Sequence, residues 1–338
     1  MSVTLNDIAK ALNISRNTVS KALNGKHVSE KTRKAVTETA ARMNYKSFAV
    51  SEDFRNPSGK KILLISSNSL MNISFHIYVM KGIDMEFAKY NISLVRYTIS
   101  SSSPFPDLKN YIKKLEVDAI ICIEFFRKEL IEEILSLNLP TVFLDFPRTK
   151  IESDYPYDVV LMENINTLRE YCCELIQNAG CKSFGYVGDI NNCLSFYERF
   201  IGMKCAMEDN GLKYNPDCSI LSDNSLPYSD IDKLSALVKR SVLPDCYICA
   251  NDFIAFMLLN ALNTMNIDVP KQVKVVGFEN SPESDLSTPS LSTVDVKKIA
   301  LGRKIASTVL YRIKHRNIQT QFIYHKSGHI KRETTDFM

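Results

Sequence analysis

Residues 3–46 read VTLNDIAKALNISRNTVSKALNGKHVSEKTRKAVTETAARMNYK, and the pattern is that of three short helices. Thr4 and Asp7 form a Thr-x-x-Asp start, in which the hydroxyl residue caps the helix and the carboxylate reaches back. Leu5, Ile8, Ala9 and Leu12 then share one helical face. Asn13-Ile14 makes a tight turn, and Ser15 caps a second helix. In that helix Val19, Ala22 and Leu23 point inward, while Arg16, Asn17, Ser20 and Lys21 take the opposite face. Asn24-Gly25 ends it, since both residues tolerate the left-handed conformation. Ser29 opens a third helix with Val36, Ala40 and Met43 as its inner stripe.

Charge says what this unit meets. The first 46 residues carry nine Lys/Arg against three acids, a net +6, whereas the whole chain is +4. A basic cap on a mildly acidic body is the footprint of a protein that sets one end on phosphates. An α-helix fits the major groove, where Arg matches guanine and Asn matches adenine with paired hydrogen bonds. Arg16, Asn17 and Lys21 are therefore expected to read bases. Thr4, Asn24, His27, Ser29 and Thr32 stand at helix starts and turns, where hydroxyls, amides and backbone N–H groups meet phosphate. The alternative is a small surface bundle whose charges are simply solvated.

The stretch TLNDIAKALNISRNTVSKALNG resembles the helix-turn-helix of the lactose-repressor/galactose-repressor family of bacterial transcription regulators, and the likeness continues through HVSEKTRKAV and Met43-Asn44-Tyr45. The resemblance implies double-stranded operator DNA and a small-molecule effector, a sugar or glycoside, as partners. It also implies a homodimer on a pseudo-palindromic operator. Arg332-Glu333-Thr334-Thr335 resembles the family's terminal motif, and no heptad tail follows it, so a dimer is expected over a tetramer.

The remainder reads as an α/β protein. At 338 residues, 45% of them apolar, the chain suits two to three domains with a sizeable core. It holds no apolar run of about 18 residues and begins without an apolar leader, so a cytoplasmic protein is expected. Nine scattered cysteines lie mostly in apolar runs. Cys246-x-x-Cys249 lacks a second pair or a histidine partner, so buried small hydrophobes are expected and no metal or cofactor. Residues 47–59, ending in Asn56-Pro57-Ser58-Gly59, read as a linker. Strands near 61–66, 92–98, 118–123, 141–145, 183–188, 245–250 and 273–278 then alternate with helices near 76–90, 107–115, 128–137, 164–179, 197–210, 230–240 and 252–265. That alternation argues for parallel, doubly wound sheets.

The resemblance supplies the arrangement: a periplasmic-binding-protein-like core of two lobes with three crossings. One lobe is expected at 60–162 with 293–322 and the other at 163–292 with 323–338. In open α/β sheets ligands sit beyond the C-terminal strand ends. Asp145, Asn251-Asp252 and Glu279-Asn280 stand there. Arg199, three residues before Gly202, resembles the family's effector-contacting arginine, and Ser195, Asn251 and Glu279 match other effector contacts. Phe75 falls where the family lines its cleft. Each has a structural alternative: helix capping for Asn251 and Asp252, a surface pair with Glu198 or Glu208 for Arg199, and plain core for Phe75.

Three departures from the family stand out. Met162-Glu163-Asn164 replaces its Val-Asp-Asn, and Glu279-Asn280 replaces its Asp-Asp or Asp-Asn pair. Phe54-Arg55 replaces the Leu-Ala pair that enters the minor groove, with Glu52 and Asp53 just before it. Phe is a usable wedge and Arg suits a narrow minor groove, while a solvated linker is the other reading. The leading expectation is a ligand-responsive transcription regulator, a repressor of carbohydrate-use genes. A cytoplasmic solute-binding module with altered DNA binding is the alternative. An enzyme is not expected, because no G-x-S-x-G, phosphate-binding loop or G-x-G-x-x-G follows a strand.

Overall fold

The computed structural model describes residues 3–23, 28–43, 59–67, 73–99, 107–221 and 226–336. It divides into two units, Met1–Lys60 with Tyr90–Ile92, and Lys61–Lys89 with Ser93–Met338. The first contains helices α1 (Leu5–Leu12), α2 (Arg16–Leu23) and α3 (Glu30–Arg42). Ile8, Val19, Val36 and Ala40 are fully buried between them, and Leu12, Ile14, Val28 and Met43 pack around this core. Asn13 is left-handed (φ 51°) and its N–H closes the end of α1. The expected linker lies largely outside the described residues.

The second unit holds two sheets. The first has the order β10-β5-β4-β3-β1-β2, from β1 (Lys61–Ser67), β2 (Ser93–Ile99), β3 (Ala119–Ile123), β4 (Thr141–Leu144), β5 (Asp158–Met162) and β10 (Gln321–His325). All its pairings are parallel. Parallel strands covered on both faces need unbroken apolar runs, and β3 (AIICI) and β5 (DVVLM) are buried at every position. The second sheet has the order β11-β9-β8-β7-β6, from β6 (Phe184–Val187), β7 (Cys246–Cys249), β8 (Lys274–Phe278), β9 (Ser292–Asp295) and β11 (Gly328–Ile330). Its β11 runs antiparallel to β9. That edge departs from the all-parallel expectation.

Sheet membership moves two expected lobe boundaries. Ser292–Asp295 pairs with β8 in the second sheet, and Gln321–His325 pairs with β5 in the first. The boundaries expected at 292/293 and 322/323 therefore fall inside strands. The chain crosses after Asp295 and again after His325, about one strand-end later in each case, because backbone pairing rather than hydrophobic period decides where a strand belongs. Beside the first crossing, Glu163 N–H bonds the His325 carbonyl at 2.8 Å, so the first and third crossings lie side by side.

Among the described residues, helices α4 (Ile73–Phe87) and α13 (Lys298–Lys314) pack on the first sheet's side of the unit. They meet through glycines. A Cβ on Gly82 would strike the Ile299 carbonyl, and one on Gly302 would strike that of Val79. Gly202 works the same way between α7 (Ile165–Ala179) and α8 (Leu194–Asp209), where a Cβ would strike the Ile165 carbonyl. Arg312 on α13 is buried against Asp158 at the start of β5, with Nε donating to Oδ2 at 2.8 Å. The same guanidinium holds the carbonyls of Ile318 and Gln319, so one side chain fastens the turn that leads into β10.

Candidate functional site

In the helical unit, the expected base readers stand in water. Arg16, Asn17 and Lys21 are exposed on α2, while Val19, Ala22 and Leu23 of the same helix are buried. Ser15 fixes where α2 begins, its Oγ accepting from Thr18 N–H at 3.0 Å. Ser29 caps α3 through Thr32 N–H at 3.2 Å, and the two hydroxyls lie 2.7 Å apart. At α1, Asp7 takes both the Thr4 N–H (2.8 Å) and the Thr4 hydroxyl (2.7 Å), which holds its carboxyl below the usual range. Asn24, His27, Phe54 and Arg55 lie outside the described residues.

In the second unit, the six expected effector residues sit at strand ends or helix starts and all are buried: Phe75, Asp145, Ser195, Arg199, Asn251 and Glu279. Asp145 follows β4 with φ 63°. It accepts from Phe146 N–H at 2.7 Å, and from the Cys193 thiol (3.2 Å) and Ser195 N–H (3.4 Å) at the start of α8. It thus ties the end of the first sheet to a helix of the second lobe. Backbone bonds extend that seam, from Leu194 N–H to the Phe146 carbonyl (2.9 Å) and from Arg148 N–H to that of Asn192 (3.0 Å). Burial pushes the Asp145 carboxyl above its usual range, with Arg199 pulling the other way.

Arg199 is 1% exposed, which removes the surface-pair alternative. Its Nε donates to Asn164 Oδ1 at 3.0 Å, its Nη1 to the Ala250 carbonyl, and its guanidinium lies 3.7 Å over the Phe278 ring. Asn164 in turn donates to Glu198 at 2.8 Å, and Glu198 accepts the Tyr324 hydroxyl at 2.9 Å. Arg199 therefore reaches Glu198 through an amide, not directly. Burial raises the Glu198 carboxyl. The Ser195 hydroxyl is fully buried beside Asp145 and, among the described residues, makes no well-formed hydrogen bond.

At the end of β7 the capping alternative holds for one of the two residues and not for the other. Asn251, not Asp252, caps α11 (Asp252–Thr264), its side chain accepting from Ile254 N–H at 2.9 Å. Asp252 is a buried hub that accepts from Ser281 N–H (2.7 Å) and from the hydroxyls of Ser284 (2.7 Å) and Thr293 (2.5 Å). Capping statistics favour Asn and Asp alike, so neighbouring Asn and Asp cannot be ranked without tertiary partners.

Glu279 follows β8 at φ 115°. Burial raises its carboxyl well above the usual range; Arg199 and Lys298 oppose that shift, and Glu124 and Asp252 reinforce it. Lys298 at the start of α13 donates instead to the backbone carbonyls of Glu279 and Asn280. Across the junction Glu124, which follows β3, bonds His76 at 2.8 Å. Burial works against charging His76, but Glu124 outweighs it, and the imidazole is more basic than usual. The strand-end rule that found Asp145 and Glu279 finds Glu124 too, since it stands directly after Ile123. Glu198 and Tyr324 carry no such signal. A separate open cavity of about 680 Å³ lies beside the second crossing, with Tyr78, Ser281, Lys298, Arg303 and Arg332 in its wall. None of the six expected residues lines it.

Residues 4–47 match the family described as bacterial regulatory proteins, lacI family, and residues 174–335 match the periplasmic binding protein-like domain. The chain joins a lacI-family DNA-binding domain to a periplasmic binding protein-like domain. It is a ligand-responsive DNA-binding transcription regulator, with helix-turn-helix helices joined to a two-sheet periplasmic-binding-like core. The HTH-type transcriptional repressor PurR of Actinobacillus pleuropneumoniae serotype 3 (strain JL03) is 26% identical, covering 94% of this chain and 93% of the relative. PurR of Haemophilus influenzae (strain PittEE) is 24% identical, covering 93% and 92%. Among solved structures, the CelR–cellobiose complex aligns at TM-score 0.72 and 21% identity, over 98% of this chain and 99% of that one. The lac repressor dimer bound to operator and the anti-inducer ONPF aligns at 0.65 and 20%, over 99% of each. These likenesses to LacI-family structures are likenesses of fold.

Proposed function

We propose that this regulator is a cytoplasmic, non-enzymatic repressor of carbohydrate-use genes that binds a pseudo-palindromic operator as a homodimer. Arg16, Asn17 and Lys21 read base edges, and Thr4, Asn24, His27, Ser29 and Thr32 hold phosphates. Phe54 and Arg55 serve the minor groove in place of the family's Leu-Ala pair. A sugar or glycoside binds between the lobes against Phe75, Asp145, Ser195, Arg199, Asn251 and Glu279. The observation that carries this reading is α2: a capped helix in a +6 unit whose two faces separate buried Val19 and Ala22 from exposed Arg16, Asn17 and Lys21.

All six proposed effector contacts are buried, so a ligand enters only by parting the seam between Phe146–Arg148 and Asn192–Leu194. That requirement supplies the differential affinity on which coupling rests, because the ligand binds one lobe arrangement better than the other. The experiment is capture of genomic fragments by the purified full-length protein at about 100–150 mM salt, where nonspecific phosphate binding is weakened. One enriched palindrome beside carbohydrate genes is the expected result. Salt-sensitive binding with no enriched site counts against specific reading by α2.

A further inference from the structure

The charges at the lobe junction constrain what it takes. Four buried or nearly buried carboxylates approach it: Glu124 and Asp145 from the first lobe, Glu198 and Glu279 from the second. Among the described residues none makes a contact ion pair with Arg199, whose Nε and Nη1 go to an amide and a carbonyl. Lys298 likewise serves carbonyls. His76 is held by Glu124. Asp252, the next acid beside Glu279, is already saturated by Ser281, Ser284 and Thr293. No described residue donates to the Glu279 carboxylate, and among the same residues the buried Ser195 hydroxyl next to Asp145 makes no well-formed hydrogen bond.

A buried carboxylate without donors is costly, and a ligand that brings a charged donor removes that cost best. A phosphate or carboxylate ligand would add like charge instead. Two carboxylates can receive one ammonium between them without the three or more ligands that a metal ion needs.

We propose that the effector is an amino sugar, its ammonium received by Glu279 and Glu124 from opposite lobes and its hydroxyls by Ser195, Asp145 and Arg199. This rests on the reading of the lobe junction as the effector site. The test is calorimetric titration of the full-length protein with D-glucosamine, D-galactosamine and D-mannosamine, each beside its parent hexose at matched ionic strength. At least one amine should bind about tenfold tighter than its hexose. Glu124→Gln, a near-isosteric change outside the proposed sugar contacts, should abolish that excess and leave hexose binding in place, with unchanged circular dichroism; Glu279→Gln should abolish the excess and weaken the hexose as well. Amine and hexose equal in every pair, or no response to any of the six sugars, overturns the amino sugar. Unselective binding that Arg199→Lys still weakens leaves the junction standing as the site. Binding that Arg199→Lys does not touch overturns the junction as well.

Discussion

The two functional regions solve opposite problems. The helix-turn-helix keeps its working groups in water and buries only a handful of small apolar side chains. The lobe junction buries its working groups and satisfies Arg199 and Asp145 through Asn164, the Ala250 carbonyl, Cys193 and backbone donors, while the Ser195 hydroxyl stays without a well-formed hydrogen bond among the described residues. An exposed reader is free to be altered with little effect on folding. A buried reader is also part of the scaffold, so every substitution there has to be read for stability as well as for binding.

The largest effect tests the scaffold half of that contrast. Arg312→Ala leaves Asp158 as an unpaired buried charge, which costs about 3–5 kcal/mol. Denaturation followed by hydrogen exchange should show the two-sheet unit weakened and helices α1–α3 untouched; equal loss in both would break the separation. Next comes Arg16→Ala, expected to cost about 1–3 kcal/mol of operator affinity and relax specificity at one position, with the melting temperature unchanged. Unaltered operator binding removes Arg16 from the reading face. Ser15→Ala, which deletes the α2 cap, should cost about 1 kcal/mol, and the loss should appear in the exchange rates of α2 amides alone.

The smallest change is one of slope. In the folded protein the Glu279 carboxyl holds its proton well above the usual 4.5, so over that interval the folded state binds more protons than the unfolded. Stability is then fullest below pH 4.5 as far as this group is concerned, and falls as pH rises toward its folded value. Glu279→Gln should flatten that fall; a melting temperature with the same pH slope in both proteins would contradict the burial of an ionisable group there.

How much of this was legible in the sequence follows the same division. The helical unit was readable almost residue by residue, because capping and the 3.6-residue period are local. The strands β1–β4 and β6–β8 were readable as apolar runs between breakers. Strands β5, β9, β10 and β11 were not: β9 and β11 are short and partly polar, β10 is partly polar and pairs with β5 across more than a hundred residues, β5 was passed over although DVVLM is an apolar run, and α13 was overlooked beside them. At the site, strand ends pointed to Asp145 and Glu279, and family likeness pointed to Arg199 and Ser195. The amide bridge from Arg199 to Glu198 through Asn164 was invisible, because it depends on three separate segments arriving at one point.

The glycine contact between α4 and α13 has a mechanical result. Helices whose backbones touch cannot slip past each other by fractions of a turn, since every intermediate drives a carbonyl into a neighbouring Cα. The pair therefore behaves as one beam. Lys298 pins the end of that beam to Glu279 and Asn280 on the opposite lobe, while Ile73 and Ile77 stand on its outer surface, each about half exposed. Any rotation of that helix pair carries these two isoleucines with it as one piece.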